Sequence, residues 1–325
     1  MPYIDLPGSA MKRGFRLSRA AANRPYREWT DEGPQQPSMD AGYSPVDDKR
    51  AKREAAIVVQ RWYRRQLLKF ATFGPVIFTR RDGKLADFGS LSFLGGTRIA
   101  YYIRISDTTS SAMLSHFLEK YWRLPRPDVL ISVTGSAASL QLTSQLQRVF
   151  DRGLASAAAM TNAWIFTGGT DSGVMKLVGE AMHKYGLVDV PVVGVAPWGA
   201  IAGRKELSDK KGQTIEVMYG KTGMDTVGRL NPYHTHQILV DAPDGGSEAT
   251  AWGSEIGLRS RLERTYAISK GVPVVQLVIQ GGLGTLDTCI ASAELGSPLL
   301  ILADSGGAAT AIAQFCTGGE SGGGV

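Results

Sequence analysis

The stretch that decides the fold is Trp164–Ala181, W-I-F-T-G-G-T-D-S-G-V-M-K-L-V-G-E-A. A short apolar run, Ala163–Phe166, ends in a turn carrying Gly168, Gly169, Thr170 and Gly173. Val174, Leu177, Val178 and Ala181 then recur at helical spacing, so the segment reads as strand, glycine-rich turn and helix. Glycines without Cβ let backbone N–H groups face a bound group, and a helix start leaves donors unpaired at a positive dipole end. That combination suits phosphate; the bland alternative is a tight strand-to-helix connection.

A second turn of similar form, Gln280–Thr285 (Q-G-G-L-G-T), follows the apolar run Val272–Ile279 and precedes helix-compatible sequence. A third unit runs from Val129–Val133 through Thr134, Gly135 and Ser136 into a helix expected over Ala138–Phe150. Turns at the carboxyl ends of parallel strands would face one crevice, where open α/β sheets bind ligands.

The rest of the chain fits this pattern. Val76–Thr79, Ala100–Ile105, Pro191–Ala196, Gln237–Val240 and Pro298–Leu302 read as further strands, and Met113–Leu124 and Glu255–Lys270 as helices. Residues 203–231 read as a charged, Gly-rich excursion from the sheet, and Cys316–Val325 as an unfolded, Gly-rich tail. Apolar strands alternating with helices predict an α/β domain, a mostly parallel sheet with helices on both faces, over residues 71–315.

Residues 1–70 hold 14 Lys and Arg against 8 Asp and Glu, so they carry an excess equal to the net charge of +6 of the whole chain. The globular part is formally neutral, which argues against a nucleic-acid binder. Residues 1–50 lack apolar periodicity and read as a disordered basic arm. Residues 51–70 read as a basic amphipathic helix, a type that calmodulin or an anionic membrane can bind. Ala56–Arg65 resembles an IQ motif, with Val59 and Gln60 in the Ile-Gln place, Trp62 on the apolar stripe, and Arg64 and Arg65 behind. Packing of the Trp62 stripe on the following domain is the structural alternative.

No apolar stretch reaches the ~20 residues a membrane span needs, and no leader is visible at Met1–Ala10. Cys289 and Cys316 are expected to be buried free thiols. His234 and His236 form an H-x-H without an evident third ligand, so structural histidines are expected rather than a metal site.

Gly281–Thr285 is similar to the G-G-x-G-T signature of the SLOG superfamily, Rossmann-like domains that include the "lonely guy" phosphoribohydrolases. More of the chain resembles, in order, the N-terminal homology region of melastatin-type transient receptor potential (TRPM) channels. The stretches are Phe73–Val76, Tyr102–Ile105, Pro127–Val133, Ala163–Ala181, Gly194–Gly199, Asn231–His236 and Leu258–Glu263. The resemblance implies the cytosolic, SLOG-like domain of a tetrameric Ca²⁺-permeable cation channel. It also implies a site for ADP-ribose or a related nucleotide, walled by Thr134-Gly135, Gly168–Gly173 and Gly281, Gly282, Gly284 and Thr285. The family's ligand-contacting arginines match Arg204 and Arg259 or Arg261. Trp198 is a candidate to stack on adenine, with a core aromatic at a strand end as the commoner alternative. With no membrane segment, the chain is expected to be a fragment, a truncated product or a freestanding relative. In the phosphoribohydrolases the signature continues to a catalytic Glu; Thr288 stands there here, so binding without turnover, and without a cofactor, is expected.

Overall fold

The computed structural model describes residues 78–93, 99–137, 140–217, 228–242, 251–294 and 296–318. The expected arm 1–50 and IQ-like helix 51–70 lie outside the described residues, as do Val76 and Ile77 of the first expected strand.

The elements are β1 (Asp87–Phe93), β2 (Ile99–Ser106), α1 (Ser111–Lys120), β3 (Leu130–Gly135), α2 (Ser144–Met160), β4 (Trp164–Thr167), α3 (Gly173–Lys184) and β5 (Val192–Pro197). They continue with α4 (Arg204–Leu207), β6 (Lys211–Val217), β7 (His236–Asp241), α5 (Ile256–Lys270), β8 (Val274–Ile279), α6 (Leu283–Glu294), β9 (Leu299–Leu302) and α7 (Gly307–Gly318). The sheet order is β6-β1-β2-β7-β5-β4-β3-β8-β9. Every pairing is parallel except β1 with β2. This is the mostly parallel, two-faced α/β sheet that the alternating apolar pattern predicts.

Strand alternation sorts the core into two layers. Trp164, Phe166, Val193, Val195, Ile238 and Val240 pack against α1 and α5. Ile131, Ile165, Val192, Leu277 and Ile279 pack against α2 and α3. The connection into β8 returns to the far side of β3, so the chain winds one way through β4, β5 and β7 and the other way through β8 and β9. The reversal between β3 and β8 is the topological switch at which such sheets bind ligands.

Four local expectations change. α2 begins at Ser144, because Thr143 accepts a bond from the Leu146 N–H and caps it, and it runs on to Met160 through buried Leu154, Ala155 and Ala158. β6 forms inside the expected excursion; its mostly exposed KGQTIEV pattern is that of an edge strand, without the apolar run that marks a central one. Thr79 forms an isolated bridge with Leu85 in place of a strand. Cys316–Gly318 of the expected tail belong to α7, whose Ala308 and Ala309 are buried, and residues 319–325 lie outside the described residues; Cys289 is buried as expected, whereas Cys316, on that helix, is exposed. None of the described helices is long and apolar enough to cross a membrane.

Candidate functional site

The carboxyl ends of β3, β4 and β8 lie side by side at the switch. Here α5 and α6 stand apart over β3 and β8 and leave a cleft of about 590 Å³. The cleft brings together Thr134, Gly135, Gly168, Arg259, Gly282, Gly284 and Thr285. Three turns expected from sequence to share a crevice therefore do.

They share it unequally. Gly282 and Gly284 open on the cleft, and a Cβ at either would meet no atom within 4 Å. The turn is held from behind: Gln280 and Gly281 both have positive φ, and their carbonyls accept from Ala309 and Ala308 at the start of α7. That leaves the start of α6 facing the cavity; its Thr285 and Leu286 N–H groups both go to the Gly282 carbonyl, so the amides of Gly282, Leu283 and Gly284 are its candidate donors. In the β4 turn the donors are largely consumed. Gly169 N–H goes to Thr167 Oγ1 at 2.9 Å, Asp171 N–H to Arg229 O and Val174 N–H to Ser136 O. A Cβ on Gly169 would lie 2.6 Å from Gln237 Oε1 and 3.0 Å from Gly194 Cα. Gly169, Thr170, Gly173 and Gly281 therefore belong to the turns without lining the cleft, and the expectation that the β4 turn offers its amides to a bound phosphate is corrected: it is mainly a packing device.

Of the predicted arginines only Arg259 lines the cleft, and the predicted aromatic lies outside it. Arg259 lines it, but its guanidinium is engaged by Glu263 (2.8 Å), Ser132 Oγ (2.9 Å), Val133 O (2.9 Å) and Phe166 O (3.0 Å). It clamps α5 to the ends of β3 and β4. Arg204 sits on α4 and donates to the Gly199 carbonyl, and Arg261 donates to Asp107 O at 2.6 Å; neither lines the cleft. Trp198 is buried among Leu91, Tyr102, Leu207 and Leu239, with the Arg104 guanidinium 3.9 Å above its ring centroid. Its apolar surroundings are those of a core residue.

Sequence reading missed Arg264, Glu255 and Gln276, all in the lining. Arg264 is an exposed cation on α5. Burial pushes the Glu255 carboxyl above its usual range, and one of its oxygens has no partner among the described residues. Arg264 lies one turn beyond Ser260 on the face of α5 that borders the cleft, a face that the sequence reading did not assign.

His234 and His236 are not brought together on a metal. Among the described residues no group of three or more His, Cys, Asp or Glu could hold one. His234 Nε2 lies 2.6 Å from Thr167 Oγ1, the hydroxyl that also receives the Gly169 N–H. His236 contacts Trp122, with ring centroids 4.6 Å apart. Burial drives the pKa of each down to about 3, so both are neutral supports of the β4–β7 region.

Comparison with known proteins agrees with this architecture. The family model LSDAT_euk, "SLOG in TRPM", matches residues 100–323. The chain is 36% identical over 243 residues to the transient receptor potential cation channel subfamily M member 2 of Rattus norvegicus, covering 70% of this chain and 16% of that protein. It is 37% identical over 244 residues to the subfamily M member-like 2 protein of Nematostella vectensis, covering 69% and 16%. With subfamily M member 1 of Mus musculus the identity is 34% over 241 residues, covering 70% and 14%. The chain thus spans about a sixth of the length of these curated relatives.

Proposed function

Because this chain belongs to the family of SLOG domains of TRPM proteins, we propose that it is the ligand-sensing and assembly domain of a cation channel, on the cytoplasmic side of a membrane. In this reading it binds ADP-ribose or a related nucleotide without turnover, and the intact protein is a tetrameric, Ca²⁺-permeable channel. The observation that carries the ligand reading is the cleft at the β3/β8 switch, where the open Gly282–Gly284 turn and the Thr134–Gly135 strand end meet. A diphosphate placed there meets the backbone donors at the start of α6. Arg264 is the cleft cation that no described group engages, and its planar fork suits phosphate oxygens. The Arg259–Glu263 ion pair cancels itself, which leaves Arg264 as the cation open to a phosphate.

Channel control would follow from unequal affinity of the nucleotide for two arrangements of the domain, the one route by which a ligand shifts such an equilibrium. The test is calorimetric titration of the folded chain with ADP-ribose. Saturable heat supports the reading, and none leaves a purely structural assembly domain.

A hydrolase reading has one observation in its favour, the raised carboxyl of Glu255 beside the cleft. Against it, Thr288 occupies the place of the phosphoribohydrolase Glu, and its hydroxyl donates to Gly284 O at 2.8 Å. Incubation with nucleoside monophosphates decides: released base would establish turnover.

A further inference from the structure

The cleft continues past the glycine turns, between α5 and α6, down to Val274 at the other end of β8. Its floor there is polar. Ser132 and Gln276 are direct partners across the β3–β8 pairing, both line the cavity, and each is 2% exposed. Ser132 Oγ already accepts from Arg259 Nη2 at 2.9 Å, which leaves its hydroxyl hydrogen to donate. Gln276 Oε1 accepts from Ser292 Oγ at 3.2 Å, and Gln276 Nε2 has no partner among the described residues. A buried amide N–H without an acceptor is destabilising, and this one is open to an acceptor that enters the cavity. The walls around it, Ala267, Ile268, Val274 and Ala291, are apolar. Two donors on a floor between apolar walls match a flat heterocycle that offers acceptors along one edge.

From this arrangement we infer that the inner half of the cleft is a base pocket, in which the Gln276 carboxamide, oriented by Ser292, donates to a ring nitrogen or carbonyl of the nucleotide's heterocycle. The inference rests on the reading of the cleft as a nucleotide site, and divides it: phosphates at the Gly282–Thr285 turn, base over Ser132 and Gln276. Gln276 then sets specificity and contributes little to holding the phosphates.

The test is calorimetry of the whole chain with two probes, ADP-ribose and inorganic pyrophosphate, on the unaltered chain, Gln276→Met and Ser292→Ala. Gln276→Met keeps the length of the side chain and removes the donor. It should weaken ADP-ribose binding by about tenfold, the loss of one buried hydrogen bond, and leave pyrophosphate binding unchanged. Without ligand its melting temperature should hold or rise, since an unpaired amide is replaced by an apolar group; a merely structural glutamine would do the reverse. Ser292→Ala, which frees the amide to turn, should give a smaller loss for ADP-ribose alone. Unchanged ADP-ribose affinity in both variants would overturn the base pocket and leave the nucleotide site standing. A lowered melting temperature with parallel loss of both probes would also overturn it. Failure of the unaltered chain to bind either probe would remove the nucleotide reading itself, and this one with it.

Discussion

At the scale of single residues, the clearest division is between glycines required by packing and glycines that leave space. Gly169 has φ of +78° and abuts Gly194 and Gln237. Gly169→Ala adds a strained backbone and a clash at the centre of the sheet, and is expected to cost about 2–4 kcal/mol in chemical denaturation. Arg264 gives the complementary prediction for binding. Loss of a charge-assisted contact worth about 1.5–3 kcal/mol predicts roughly 10- to 100-fold weaker ADP-ribose binding for Arg264→Ala, read by calorimetry, with stability little changed. The buried histidines give a pH signature. Their folded pKa of about 3 lies below the ordinary value of 6.5. Between these values the unfolded chain binds more protons than the folded one, so stability falls as pH drops below about 6.5. At roughly 1.4 kcal/mol per pH unit for each group, the melting temperature should decline steadily from pH 6.5 to 5. His234→Gln, which can keep the bond to Thr167, should flatten that decline.

At the scale of elements, the two strands absent from the sequence reading are joined to the sheet by buried charge as well as by the apolar packing of Leu91, Phe93 and Val217. Asp87 at the head of β1 is fully buried. It takes Arg80 Nη1 at 3.0 Å and Arg104 Nη1 at 3.3 Å, while Arg104 Nη2 reaches Asp241 on β7 at 2.7 Å. Arg80 also bonds Asp209, just before β6. One carboxylate therefore ties β1 to β2 and, through its arginines, to β7 and β6. Removing one member of a buried ionic set strands the others, so Asp87→Ala should cost roughly 3–5 kcal/mol in urea unfolding. A four-residue apolar run such as Ala163–Phe166 announces a central strand; DFGSLSF and KGQTIEV do not. Their cohesion comes from partners distant in sequence.

At the scale of the whole molecule, the proposed channel role divides the chain into a sensing sheet and a basic N-terminal segment. The segment carrying Val59, Gln60, Trp62, Arg64 and Arg65 is proposed to bind Ca²⁺-loaded calmodulin, as its IQ-like spacing suggests. Size-exclusion chromatography of the chain with calmodulin should show a joint peak in Ca²⁺ that Trp62→Ala abolishes. Persistence of two separate peaks would leave the packing alternative. The described lining of the cleft runs from Ser132 to Ser297, so under the proposed function Trp62→Ala should leave ADP-ribose titrations unchanged.

By itself the sequence determined the class of fold, the strand–turn–helix units after β3, β4 and β8, and the meeting of their turns at one edge. Apolar period and glycine placement are local properties, and a parallel sheet brings carboxyl ends to the same side. Thr134, Gly168, Gly282 and Thr285 were legible in this way. Only the tertiary structure decided which turn is open and which is filled, because Gly169 is closed by Gln237 and Gly194 from other strands. It also decided that Arg259 is a clamp and that Arg204, Arg261 and Trp198 lie outside the cleft, while Gln276 and Arg264 line it. A side chain's partners there come from residues far along the chain, and no spacing in sequence encodes where a guanidinium or an amide will find its acceptor.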